Sequence, residues 1–136
     1  MVKEIMHDPI FLSVKSKEAT IDDLEIANDL LDTLMANKDR CVGMAANMIG
    51  VAKRIIVFDC SGTYMTMFNP RIIVKEIPYE TKEACLSLSG TRDVTRYQKI
   101  KVQFQNKKME NKTRTFEGWI AQIIQHEIDH CDGILI

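Results

Sequence analysis

Apolar positions recur at helical spacing between Thr20 and Asn37, where Ile21, Leu24, Ala27, Leu31, Leu34 and Met35 fall on one stripe. Thr20, followed by Asp23, reads as an N-cap with an acidic first turn, so an N-terminal helix is predicted there. After the looser stretch DRCVGMAANMIGV the period changes. RIIVFD (Arg54 to Asp59) is a short β-branched run typical of a buried strand, SGT a turn, and YMTMFN and RIIVKEI two further strands divided by Pro70. KIKVQFQ (Lys99 to Gln105) alternates strictly, with Ile100, Val102 and Phe104 facing one way. NKKMEN then supplies a polar turn and KTRTFEG a returning strand. WIAQIIQHEIDH resumes helical spacing until Gly133 offers a stop. The pattern predicts an α+β fold, with mostly antiparallel strands packed around a central C-terminal helix and an N-terminal helix beside them.

The 136 residues suit one domain spanning 1–136, and no internal repeat or linker divides them. A formal charge of -1 provides no global field to recruit nucleic acid or an anionic membrane. The opening MVKEIMHDPIF lacks the apolar core of a signal peptide, and no run approaches a membrane span, so a cytoplasmic location is expected. In a reducing compartment Cys41, Cys60, Cys85 and Cys131 are expected as thiols or metal ligands rather than disulfides.

The chemistry concentrates in HEIDH. His126 and His130 leave the same helix face one turn apart and can converge on one ion. Glu127 lies about 100 degrees around the helix, placed to move protons rather than to ligate. Further back on that face lie Ile123, Gln122 and Trp119, which would wall any pocket beside the ion, and the small Gly43 would let a ligand approach closely. A catalytic ion of this kind takes three protein ligands and keeps one position open. Proteases with this motif find the third ligand downstream, which weakens a metallopeptidase reading here: only Cys131 and Asp132 follow closely, and Cys131 points away on a continuing helix. The donor is therefore sought upstream, among Cys41, Cys60, Cys85 and His7.

EACLS (Glu83 to Ser87) together with HEIDH resembles the peptide deformylase family, whose EGCLS and HExDH motifs supply one cysteine, two histidines and a catalytic glutamate. CVGMAANM (Cys41 to Met48) resembles the family's first motif, GxGLAAxQ, in the expected order. The resemblance implies that Cys85, His126 and His130 bind a divalent metal ion. Fe2+ is the expected ion, with Zn2+, Ni2+ or Co2+ as alternatives. It further implies that Glu127 is the general base and acid, and that the Leu86 N–H stabilises the oxyanion. Val42, Gly43, Arg92, Trp119, Gln122 and Ile123 would contact substrate. The implied activity is removal of the formyl group from N-terminal formylmethionine of nascent bacterial polypeptides, releasing formate, with transient ribosome contact and no direct nucleic-acid or membrane recognition.

The chain departs from the family pattern at Met48, which stands where the family has an oxyanion-stabilising glutamine and cannot donate a hydrogen bond. Neighbouring Asn47 is the candidate substitute. Cys41 and Ala84 replace motif glycines, and the chain ends after DGILI without the C-terminal helix of longer deformylases. A deformylase-like metal-binding protein with little or no activity, serving as a binding or regulatory module, is the alternative that Met48 suggests.

Overall fold

The computed structural model describes residues 1–136. A short helix the apolar pattern does not announce, α1 (Pro9–Leu12), opens the chain, with Asp8 capping Ile10 N–H at 3.0 Å and Pro9 in the first turn. Thr20 and Asp23 form a reciprocal capping box: Thr20 Oγ1 accepts from Asp22 N–H and Asp23 Oδ2 from Thr20 N–H. The box starts a 3-10 turn (Ile21–Asp23) that runs into α2 (Leu24–Ala36). The 3-10 turn shifts the phase of the helix, so the buried face is Ala27, Leu30, Thr33 and Leu34, while Ile21 and Met35 of the predicted stripe are exposed.

Five antiparallel strands follow in spatial order: β1 (Gly43–Ala45), β2 (Ile55–Cys60), β3 (Thr63–Cys85), β4 (Leu88–Gln105) and β5 (Asn111–Glu117). β2 explains the uninterrupted apolar run, because both of its faces are covered. Ile55 and Val57 join Leu30, Leu34 and Phe68 on the α2 side, and Ile56 and Phe58 join Ile100, Val102 and Ile124 on the other.

The two strands expected on either side of Pro70 are one. Pro70 sits in a bulge where the β3–β4 register shifts between Phe68 and Arg71, so its missing N–H breaks no regular ladder. Asn69 takes a φ of 53° there and is held from three sides: Oδ1 accepts Ala19 N–H, and Nδ2 donates to Ala19 O and Gln105 Oε1. β2 pairs β3 only as far as Phe68, and β5 pairs β4 only from Lys99 onward. The remainder of β3 and β4 is a two-stranded ribbon, with residues 88–98, unread as strand in the sequence, forming its second leg.

α3 (Gly118–Cys131) packs across β1, β2 and β4 and is the helix expected from WIAQIIQHEIDH. Gly133, at φ 74°, ends it in a Schellman turn in which Gly133 N–H bonds His130 O and Ile134 N–H bonds Asp129 O. A side chain at Gly133 would also meet Ser13 O at 2.5 Å. No helix is long and apolar enough to cross a membrane.

Candidate metal centre

Cys85 is the last residue of β3, at the tip of the ribbon, and His126 and His130 are one turn apart on α3. The fold brings the three together: Cys85 Sγ lies 3.2 Å from His130 Nε2, which lies 3.3 Å from His126 Nε2. Ligands sharing a tetrahedral ion at bond lengths of about 2.0–2.3 Å stand roughly 3.3–3.6 Å apart, so the thiol and two imidazoles fit a divalent ion in both chemistry and spacing. Of the upstream alternatives, Cys41 Sγ bonds Gly43 O, Cys60 ends β2, and His7 Nδ1 contacts the backbone carbonyl of the buried Ser87. Cys131 points away into the α3-side core, where burial pushes its thiol up to about 12.

A buried network orients these donors. His126 Nδ1 meets Glu83 Oε1 at 2.7 Å, which directs Nε2 toward the other two ligands. Glu83 accepts both Arg96 Nη2 (2.7 Å) and Nε (3.0 Å), as well as Gln122 Nε2 (2.9 Å). Arg96 Nη1 reaches Asp129 Oδ2 at 2.7 Å, linking the ribbon back to α3. Burial disfavours the Glu83 carboxylate, yet hydrogen bonds from His126, Arg96 and Gln122 outweigh it and hold the group at about 2. Burial likewise opposes charge on His126, but its contacts with Cys85 and Glu83 prevail and raise it to about 10, marking a site that favours positive charge between these groups. His130 is lowered to about 3, first by burial and then by the neighbouring His126 charge, which keeps it a neutral donor.

Glu127 stands beside the triad, 4% exposed, with Oε1 lacking any hydrogen-bond partner. Burial is the largest influence on it and lifts the carboxyl to about 7, in the range suited to accepting and returning a proton near neutrality. Its packing explains Gly43: a Cβ there would stand 2.9 Å from Glu127 Oε2 and 2.9 Å from Ile123 Cγ2.

A cavity of about 240 Å³ opens onto Cys85, His126 and Glu127. Val42, Gly43, Trp119, Gln122 and Ile123 line it, as does Leu86, whose backbone N–H is engaged by no acceptor of the chain. Arg92 does not reach the cavity; its Nη1 turns back to Ser89 O at 3.3 Å, and the arginine that serves the site is Arg96. Met48 lines the cavity while Asn47 does not. The Asn47 amide is spent on His130 O at 2.8 Å, so it cannot stand in for the glutamine. Glu83 and Arg96 were not singled out as site residues in the sequence, although strand alternation places Glu83 on the same face as Cys85.

A family model described as polypeptide deformylase matches residues 3–136. A peptide deformylase of Clostridium beijerinckii is 52% identical over 136 residues, covering all of both chains. One from Desulfitobacterium hafniense is 39% identical, covering 90% of this chain and 81% of its own. Among solved structures, the peptide deformylase of Thermotoga maritima superposes with a TM-score of 0.89 at 28% identity, covering 99% of this chain and 95% of that one. The enzyme of Legionella pneumophila gives 0.89 at 33% identity, covering 99% and 83%.

Proposed function

Because the chain belongs to the peptide deformylase family, we propose that residues 1–136 form one catalytic domain in which Cys85, His126 and His130 hold a single divalent ion and Glu127 moves the protons. The activity is the family's metal-dependent hydrolysis of the formyl amide at N-terminal formylmethionine, with release of formate. The alternative of a catalytically silent module finds no support in the comparisons. Fe2+ is the ion we assign, with Zn2+, Ni2+ and Co2+ as competitors for the same thiolate and imidazole donors. The setting we assign is the bacterial cytoplasm, on nascent chains close to the ribosome.

The ion, when bound, supplies Lewis-acid polarisation of the formyl carbonyl and lowers the pKa of the attacking water. Glu127 takes a proton from that water as it adds to the formyl carbon. It returns the proton to the amine nitrogen as the C–N bond breaks, leaving formate and a free N-terminus. The Leu86 N–H donates to the oxygen that gains charge. Glu83 keeps His126 in the tautomer whose Nε2 is free to ligate alongside His130 Nε2, and Arg96 keeps Glu83 ionised. Val42, Trp119 and Ile123 receive the apolar methionine side chain, and Gln122, tied to Glu83, presents the polar element of the wall.

The observation that carries this reading is the convergence of Cys85 Sγ and two Nε2 atoms beside the unpartnered Oε1 of Glu127. The test is formate release from a formylmethionyl peptide by protein loaded with Fe2+ under exclusion of oxygen. Turnover is expected, falling at least about 100-fold in Glu127→Ala with the ion retained. Metal-replete protein that releases no formate would overturn the assignment.

A further inference from the structure

The mouth of the cavity carries two cations, one from each wall. Arg40 comes from the segment entering β1, and Lys82 from the end of strand β3 just before Cys85. Trp119, 62% exposed, lies at the same opening. The carboxylates lining the cavity do not balance them. Glu83 is consumed by Arg96, His126 and Gln122, and Glu127 is buried. Arg40 has a neutral partner, donating from Nη2 to Asn37 Oδ1 at 2.9 Å, so its charge is oriented without being cancelled. Lys82 Nζ lies 3.0 Å from Asp93 Oδ1, but both side chains are largely exposed at 72% and 78%. A pair that open to water is weak and exchangeable.

A peptide whose formyl group lies at the triad, with its methionine against the apolar wall, leaves through the opening that these two side chains line. Successive residues advance by about 3.3–3.6 Å, which brings the first two residues after methionine within reach of long, flexible cationic arms. With a net charge of only -1 over the whole chain, this local pair, rather than a global field, sets the electrostatic preference at the opening.

We propose that this chain discriminates among formylmethionyl N-termini by charge, favouring those that carry Asp or Glu in the two positions after methionine, with Arg40 and Lys82 as the specificity-determining residues. The inference rests on the deformylase reading and adds a substrate preference to it.

The test compares formylated Met-Ala-Ala, Met-Glu-Glu and Met-Lys-Lys on the metal-loaded protein. The glutamate peptide is expected to exceed the lysine peptide in kcat/KM by about three- to tenfold at low ionic strength. The difference should lie in KM and shrink toward unity near 1 M salt, where screening acts within about 3 Å. In Arg40→Gln/Lys82→Gln the ratio should collapse, and in Asp93→Asn, which releases Lys82, it should widen. Equal kcat/KM for the two charged peptides, or a ratio that survives the double substitution, would overturn the proposal. Failure of the alanine peptide to turn over would instead overturn the deformylase reading. The rim is then judged by fluorescence of Trp119, the only tryptophan in the chain. Tighter binding of unformylated Met-Glu-Glu than of Met-Lys-Lys, abolished in the double variant, supports it, and equal binding sinks it.

Discussion

Met48 is 1% exposed and contributes a thioether to the cavity wall, and the adjacent Asn47 directs its amide to His130 O. In the mechanism we propose, oxyanion stabilisation by the chain therefore falls to the Leu86 N–H alone. Removing one such donor typically costs about 100- to 1,000-fold in rate, so Met48→Gln, close in volume, should raise kcat by about tenfold or more with KM little changed. Burying the new amide should cost about 1 kcal/mol, read as a lower Tm. An unchanged kcat would show that an amide at this position does not address the developing charge. Individual residues were legible where geometry is local. Two histidines one turn apart must share a helix face, and Glu127 must sit beside them. Arg92, expected on the substrate side from the family pattern, does not line the cavity and bonds Ser89 O instead. In the ladder Arg92 stands opposite Glu83 and Arg96 opposite Tyr79, so strand position alone does not tell which guanidinium meets Glu83; Arg96 is the one also held by Asp129 of α3.

At the scale of elements, the ribbon and α3 are joined through Arg96. From β4 it binds Glu83 of β3 and Asp129 of α3, and it is itself 4% exposed. Gln125 adds a second tie, its amide accepting Tyr97 N–H and donating to Tyr97 O, each at 2.9 Å, so that α3 is fastened to the β4 backbone. Arg96→Ala would leave the buried Glu83 with only Gln122 and His126 and the half-buried Asp129 without its cation, and unfolding by urea should show a loss of about 3 kcal/mol. Metal affinity should fall about 10- to 100-fold as His126 loses its fixed partner. Stability lost without any change in affinity would make Arg96 a packing residue only. The ribbon was the least legible element in the sequence. Its residues 88–98 carry charges on both faces and lack apolar alternation, because one face binds solvent and the other binds Glu83 and α3. Pro70 divided β3 on paper because a bulge that absorbs a proline depends on the side chain of Asn69 reaching Ala19 and Gln105, distant in sequence. The buried strand β2 and helix α3 were legible because their apolar periods are complete.

Across the molecule, the donor set couples parts of the chain that are otherwise joined through packing, the Arg96 network and side-chain bonds such as those of Gln125 to Tyr97. Cys85 comes from the tip of a ribbon with no second sheet neighbour there, and the histidines from the C-terminal helix, whose last turn is fixed by Gly133 and by Asn47 donating to His130 O. An ion held by all three is a cross-link present in the folded state and absent from the unfolded one, so its binding free energy adds to stability by mass action. With free ion about 1,000-fold above the dissociation constant the gain is about 4 kcal/mol, which for a domain of this size moves Tm by roughly 10–20 °C. Stripping the protein with a chelator should lower Tm by that amount and restoring the ion should recover it. Cys85→Ser, which replaces a soft thiolate by a poor ligand, should abolish most of the increment. Cys131→Ser should lower the stability of both forms while keeping the difference between them, because Cys131 belongs to the core and not to the donor set. An increment that survives Cys85→Ser would mean that another group, with Cys41 the cavity-lining thiol best placed, completes the site in solution.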